Sequence, residues 1–146
     1  MGVYDKYVVT NPAILPGEMV PLHFKGAGPY HEFVNKQLTP EANLYMCLWK
    51  MERIPPANPT CKIHSHDVDQ FVMYIGEPGT FEILYNLVPP DVELTDEFMA
   101  PKEHQYTINK TGCFYIPAGV KHNIKVLRLD KPPVYEVTVM QKSTYP

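Results

Sequence analysis

The chain has 146 residues, 45% of them hydrophobic and 20% charged, which fits one globular domain and excludes both wholesale disorder and two ordinary domains. Thirteen Lys and Arg against 16 Asp and Glu leave a net charge of −3, so there is no basic stripe for nucleic acid. No run approaches the ~18 consecutive apolar residues of a membrane span.

Met1 to Tyr7 show no charged segment leading into an apolar stretch, so no signal peptide is expected. Residues 1–40 are broken every few positions by Pro12, Pro16, Gly17, Pro21, Gly26, Gly28, Pro29 and Pro40. They are expected to form an irregular arm with short strands that packs on the rest of the molecule or swaps between copies. His23-Phe24 and His31-Glu32-Phe33 lie in this arm with no partner at ligand spacing. Cys47, Cys61 and Cys113 are odd in number and far apart, which predicts free thiols and a cytoplasmic setting.

Residues 41–146 are the expected barrel domain. The chain holds 16 prolines and 8 glycines, and its longest interval free of both is Thr60 to Ile75. Interior prolines break helices, so a helical bundle is excluded. Runs rich in Val, Ile, Phe, Tyr and Thr are predicted as strands. Leu44 to Trp49 reads as a strand covered on both faces, with a short buried helix as its rival. Pro55, Pro56 and Pro59 then force a loop. The further strands are Cys61–Ile75, Thr80–Leu87, Gln105–Asn109, Cys113–Ile116, His122–Leu129 and Pro133–Met140, with a tight turn at Gly76-Glu77-Pro78-Gly79. Residues 88–103 are acidic and read as a solvated loop with one helical turn near Asp96 to Ala100. Trp49, Tyr85, Tyr115 and Met46 are core candidates first and pocket-lining candidates second.

The strongest local signal is His64-Ser65-His66 followed by Gln70. Residues two apart on a strand share a face, so both imidazoles can reach one metal ion. Neutral imidazole suits Zn, Ni, Cu and Fe, although surface pairs at this spacing are common. A second half strengthens the metal reading. Gly112 opens a short apolar strand that runs into Pro117-Ala118-Gly119 and then His122. Pro117 fixes its own φ and Gly119 admits positive φ, so this stiff turn aims the following strand.

These two segments resemble the paired motifs of the cupin family: His64, His66, Gln70 and Gly76, then Gly112, Pro117, Gly119 and His122. The likeness spans roughly residues 44–140. It implies an all-β fold, an antiparallel double-stranded β-helix (jelly-roll barrel) with an irregular N-terminal arm. It also implies one divalent transition metal ion (Zn, Ni, Fe or Mn) held by His64, His66, Gln70 and His122, a small-molecule ligand or substrate, and a homodimer. Three departures stand out. The strand before Pro117 is one residue short. The Asn usual four residues past the last His is replaced by Val126, with Asn123 beside His122. The usual glutamate is Gln70.

A glutamine either ligates through its carbonyl oxygen or bonds to a neighbouring strand. If it ligates, three imidazoles and an amide leave the ion its full double positive charge. That favours Lewis acidity and anionic, chelating substrates over the high oxidation states of oxygen activation. The leading expectation is therefore a metal-dependent lyase- or isomerase-type cupin catalysing isomerisation, elimination or cyclisation of a small oxygenated carboxylate or carbonyl compound. An Fe(II) dioxygenase and a non-catalytic ligand-binding module are the rivals. Parity from Gln70 puts Val72 and Tyr74 on the metal side and Phe71 and Met73 outside. Tyr74 is either a proton donor to substrate or a core residue with a satisfied hydroxyl. His104 is read as a solvated loop histidine.

Overall fold

The computed structural model describes residues 8–15, 28–35 and 37–141. Half of the expected arm, His23 and Phe24 included, lies outside the described residues. Strands form where β-branched and aromatic residues run between proline and glycine breaks: β1 Ala13–Leu15, β2 Tyr30–Val34, β3 Tyr45–Met51, β4 Gln70–Ile75, β5 Phe81–Val88, β6 Gln105–Ile108, β7 Gly112–Ile116, β8 Lys121–Leu129 and β9 Val134–Met140. Six make one sheet in the order β1-β2-β3-β9-β4-β7, and three make a second in the order β6-β5-β8. Every pairing of these strands is antiparallel. This is the expected all-β jelly roll, and no helix among the described residues is long and apolar enough to cross a membrane.

The sheets meet over a core of alternate residues. Tyr45, Cys47, Trp49 and Met51 of β3, Val72 and Tyr74 of β4, Ile116 of β7, and Val134 and Met140 of β9 face Phe81, Ile83, Tyr85, Ile124 and Val126 of the second sheet. Trp49 is wholly enclosed, and truncating a ring like it to Ala costs about 3–5 kcal/mol. Phe81 presses so closely on the turn after β4 that a Cβ on Gly76 would lie 2.7 Å from its ring. Glycine at 76 is thus a packing requirement. Two strands from the arm extend the first sheet, and the Tyr45 hydroxyl ties β3 to Glu32 of β2 at 3.0 Å.

Four expectations need correction. Cys61–Ile75 is not one strand; only Gln70–Ile75 is, and residues 61–69 form a loop with an isolated bridge at His64. β3 is fully buried on one face only, with Met46 half-buried on the other, since the outer face of this sheet has no second layer upon it among the described residues. Tyr115 is 52% exposed rather than core, because it alternates outward with Cys113 while Phe114 and Ile116 turn in. The helical turn expected near Asp96 to Ala100 is absent; a 3-10 turn occupies Lys102–His104 instead.

The acidic residues of segment 88–103 are all exposed, as a solvated loop requires, yet its far end is tied down. The Asn86 side chain accepts from the Ala100 N–H (3.0 Å) and donates to Asn123 (2.6 Å). Asn123 in turn donates to the carbonyls of Phe98 and Cys61. Buried amides with partners on both sides fasten the acidic segment to β8.

Candidate metal centre

The two motifs are stapled together through backbone and one carboxylate. Residues 58–64 run beside β8: the Asn58 side chain brackets the Val126 backbone, Thr60 donates to the Ile124 carbonyl, and His64 and His122 exchange bonds of 3.1 and 2.7 Å. Further on, the Gly119 N–H donates to the His66 carbonyl at 2.8 Å. Val120 N–H closes the turn onto the Pro117 carbonyl, and Gly119 has φ +84°, the left-handed conformation a type II turn needs there. Asp69 completes the staple, accepting from the Ala118 N–H at 2.9 Å and the Tyr115 hydroxyl at 3.0 Å. Thus the loop that carries His64 and His66 is held against the turn that aims His122.

The outcome is convergence. One donor atom from each of His64, His66 and His122 lies within 4.8 Å of the others, and the ring centroids are 4.8 to 5.1 Å apart. The His64 Nδ1 meets the Lys62 carbonyl at 2.9 Å, and the His122 Nδ1 meets the Val120 carbonyl at 3.0 Å. A carbonyl only accepts, so each contact puts the ring proton on Nδ1 and leaves Nε2 with its lone pair. Burial pushes the His122 pKa down to about 3, the neighbouring His64 and His66 adding to the effect against the Val120 contact. Neutral imidazole is the ligand form.

Gln70 opens β4 on the interior face, opposite Ile116 and Met140, and is 4% exposed. Its Oε1 is buried and accepts no hydrogen bond among the described residues. A buried amide oxygen without a donor costs about 1–3 kcal/mol, a penalty that a cation would remove. Three converging imidazoles are a donor set that fits a divalent ion.

Val72 and Tyr74 continue the interior face, as parity from Gln70 puts them, while Phe71 is 47% exposed and stacks on Tyr115. Tyr74 sits about 13 Å along β4 from Gln70, four residues at strand rise. Its hydroxyl contacts those of Tyr85 (3.0 Å) and the carboxyl of Glu136. Glu136, Asp69, Asn86 and Asn123 were not singled out as site residues by sequence reasoning. The one trace of Asn123 is its place beside His122. His104 ends the 3-10 turn and does not join the histidine cluster.

No protein-family model matches the sequence, and no curated protein does. Solved structures do resemble it. FeII HppE superposes with a TM-score of 0.54 at 14% identity over 91% of this chain and 58% of that one. Oxalate decarboxylase from Bacillus subtilis, described with Mn(II) centres, gives 0.53 at 15% identity over 95% and 31%. A sugar phosphate isomerase of the cupin superfamily from Silicibacter pomeroyi gives 0.52 at 14% identity over 90% and 73%. The chain therefore spans under two-thirds of the first two. At this identity the likeness establishes architecture: the chain has the cupin fold.

Proposed function

We propose that the chain is a metal-dependent cupin enzyme that performs non-redox chemistry, an isomerisation, elimination or cyclisation, on a small oxygenated carboxylate or carbonyl compound. The observation that carries this reading is the convergence of His64, His66 and His122, and the reading takes the bare Gln70 oxygen, in place of a carboxylate, as the fourth donor. A divalent ion held there, Zn, Ni, Fe or Mn, supplies Lewis acidity undiminished by ligand charge. The protein supplies the rest. Val72, Ile116, Phe114 and Leu87 belong to the apolar core, Ile116 opposite Gln70 and Leu87 opposite His122, and apolar walls are the usual make-up of a small-ligand site. His122, neutral by burial, holds its lone pair ready at neutral pH. The resemblance to metal-containing cupin structures supports the fold of this reading, and the Gln70 argument supports its chemistry.

The test is metal analysis of protein purified without chelators, followed by a panel of small 2-oxo and hydroxy acids with product detection by mass spectrometry and an oxygen electrode. Product formation without oxygen uptake is the expected result. Rapid uptake coupled to product would establish the dioxygenase reading instead, and saturable ligand binding with no product a binding module. Gln70→Glu is expected to retain metal yet lower non-redox turnover at least tenfold, since a carboxylate cancels half the ionic charge. Unchanged turnover would contradict the charge argument.

A further inference from the structure

The six-stranded sheet buries one face and leaves the other open. On the outer side, the register carries one row of Leu48, Val137, Met73 and Cys113 across β3, β9, β4 and β7. The next row is Met46, Val139, Phe71 and Tyr115. None of these side chains belongs to the core, and all are half-buried or exposed. On β9 the outward positions 135, 137 and 139 are Tyr, Val and Val, more apolar than the Glu136 and Thr138 that turn in. Strands apolar on both faces are strands covered on both, so this sheet calls for a second layer.

The chemistry of the face selects what that layer is. Lys50 is the one Lys, Arg, Asp or Glu at the outward positions of β3, β9, β4 and β7; it sits at the margin opposite Tyr135 and is already paired with Glu52 at 3.4 Å. A nucleic acid or an anionic membrane needs a cluster of cations, which the face does not hold. Two copies of this chain each carry a net charge of −3, and an uncharged face is where they meet at least electrostatic cost. A two-fold contact sets one patch against itself, a condition that an apolar face meets with no further partner. β2 and β1 prolong the first row with His31 and Ile14. Strands ~4.8 Å apart and rows ~6.8 Å apart then make a face of about 500 Å² in plan. Two such faces supply about 1,000 Å² before the relief of the side chains is added, close to the ~1,200 Å² at which specific interfaces begin.

One corner of the face reaches the metal centre. Phe71 follows Gln70 directly, and its ring stacks on Tyr115, whose hydroxyl donates to Asp69. Asp69 also accepts from the Ala118 N–H, which joins the loop after His66 to the turn before His122. A layer over Phe71 and Tyr115 keeps water from competing for these bonds. We propose that the outer face of the six-stranded sheet docks a second copy of this chain, and that the copy braces the metal centre through Phe71, Tyr115 and Asp69. The interface stands apart from the metal-enzyme reading, whereas the bracing rests on it. Docking that tightens this staple tightens metal binding, and metal bound there returns the same factor to dimerisation.

Sedimentation of the whole protein, with and without zinc, tests the interface. The native chain is expected to be a dimer. Val137→Lys at the centre of the face and Ile75→Lys at its margin should each give a monomer with unchanged circular dichroism, whereas Leu127→Lys, exposed on the second sheet, should remain a dimer. Ile75 is already 40% exposed and lies at the end of β4 away from Gln70, so its variant keeps the test decisive if Val137→Lys fails to fold. Equilibrium dialysis tests the bracing: zinc should bind the native dimer at least ~5-fold more tightly than the Ile75→Lys monomer. Tyr115→Phe keeps its ring and should stay a dimer, yet bind zinc no more tightly than that monomer, a result that packing alone would not give. A native chain that is monomeric at every concentration overturns the proposal, whether another part of this chain or a different protein then covers the face. So does a dimer that survives both lysine variants. Equal zinc affinity in the native dimer and the Ile75→Lys monomer overturns the bracing. A native dimer that binds no zinc strikes the metal assignment, and the bracing with it, while the interface stands.

Discussion

Replacing Glu136 by Gln should change how stability depends on pH, in a direction fixed by burial. In the unfolded chain this carboxyl titrates near 4.5; folded, it titrates near 7. Between those values the folded state keeps a proton that the unfolded state has released, so stability falls as pH rises. The span of about 2.5 units corresponds to about 3 kcal/mol of penalty, complete above pH 7. His122 acts oppositely. Its ordinary value of 6.5 drops to about 3 on folding, so the unfolded chain gains a proton first as pH falls, and stability is lost below 6.5. From pH 4.5 to 6.5 the two slopes cancel in the native protein, which should show a nearly flat profile there.

Glu136→Gln removes one slope and leaves the other. The variant should gain stability steadily from pH 4.5 to 6.5 and then level off, while the native protein stays flat to 6.5, declines to about 7 and then levels off. Urea denaturation of both proteins at pH 4.5, 5.5, 6.5 and 8, with a chelator present throughout, measures the difference directly. Groups common to both proteins cancel in it, including the histidines and the Cys61 thiol, which burial pushes up to about 11. The difference should grow by about 3 kcal/mol in favour of the variant across the series. A constant offset would refute the reasoning, because a change of hydrogen bonding alone is independent of pH.

Three further outcomes follow from the site's construction. His66→Ala should weaken zinc binding by at least ~100-fold in equilibrium dialysis, more than the tenfold to hundredfold loss typical when only a supporting residue is removed. Gly119→Ala meets nothing nearer than Pro90 Cγ at 3.9 Å, so its cost is the backbone conformation alone, about 1–2 kcal/mol in denaturation, with a matching loss of zinc affinity as His122 loses its fixed approach. Asn123→Ala removes the short bond from Asn86 and the donor to the Cys61 carbonyl, leaves the Phe98 carbonyl only its 3.5 Å bond from Asn86, and should cost about 1–3 kcal/mol and open residues 88–103 to limited proteolysis; equal protease resistance would show that the acidic segment is held by other contacts.

Most strand positions were legible because proline and glycine mark the turns, and β5 to β9 begin and end within a residue or two of their expected bounds. The histidine cluster was legible because a stiff turn and a short His-x-His spacing restrict where imidazoles can go. The segment before Gln70 was misjudged for a physical reason. Residues 58–64 do run along β8, but the Asn58 side chain replaces a backbone partner there, so the ladder never becomes regular. Side-chain substitution for backbone bonding leaves no periodic mark in a sequence. Asp69 was missed similarly: a carboxylate that staples a turn is indistinguishable, by composition, from a solvated one.

Glu136 was hidden by parity. In Val134 to Met140, positions 135, 137 and 139 are Tyr, Val and Val, whereas 136 and 138 are Glu and Thr. Apolar alternation would turn 135, 137 and 139 inward, and a slip of one residue flips the whole strand. The protein adopts the opposite choice, with Glu136 and Thr138 buried. The adjoining strand explains why. β4 must face Gln70 inward if it is to approach the histidines, and its register then sets Val72 against Thr138 and Tyr74 against Glu136. In that arrangement the carboxyl meets a phenol and a hydroxyl, whereas the alternative would bring Val137 and Met73 inward and send Gln70 to the surface. An interior polar residue on β4 thus makes an interior polar residue on β9 tolerable. The cost of enclosing the carboxyl is borne as a retained proton.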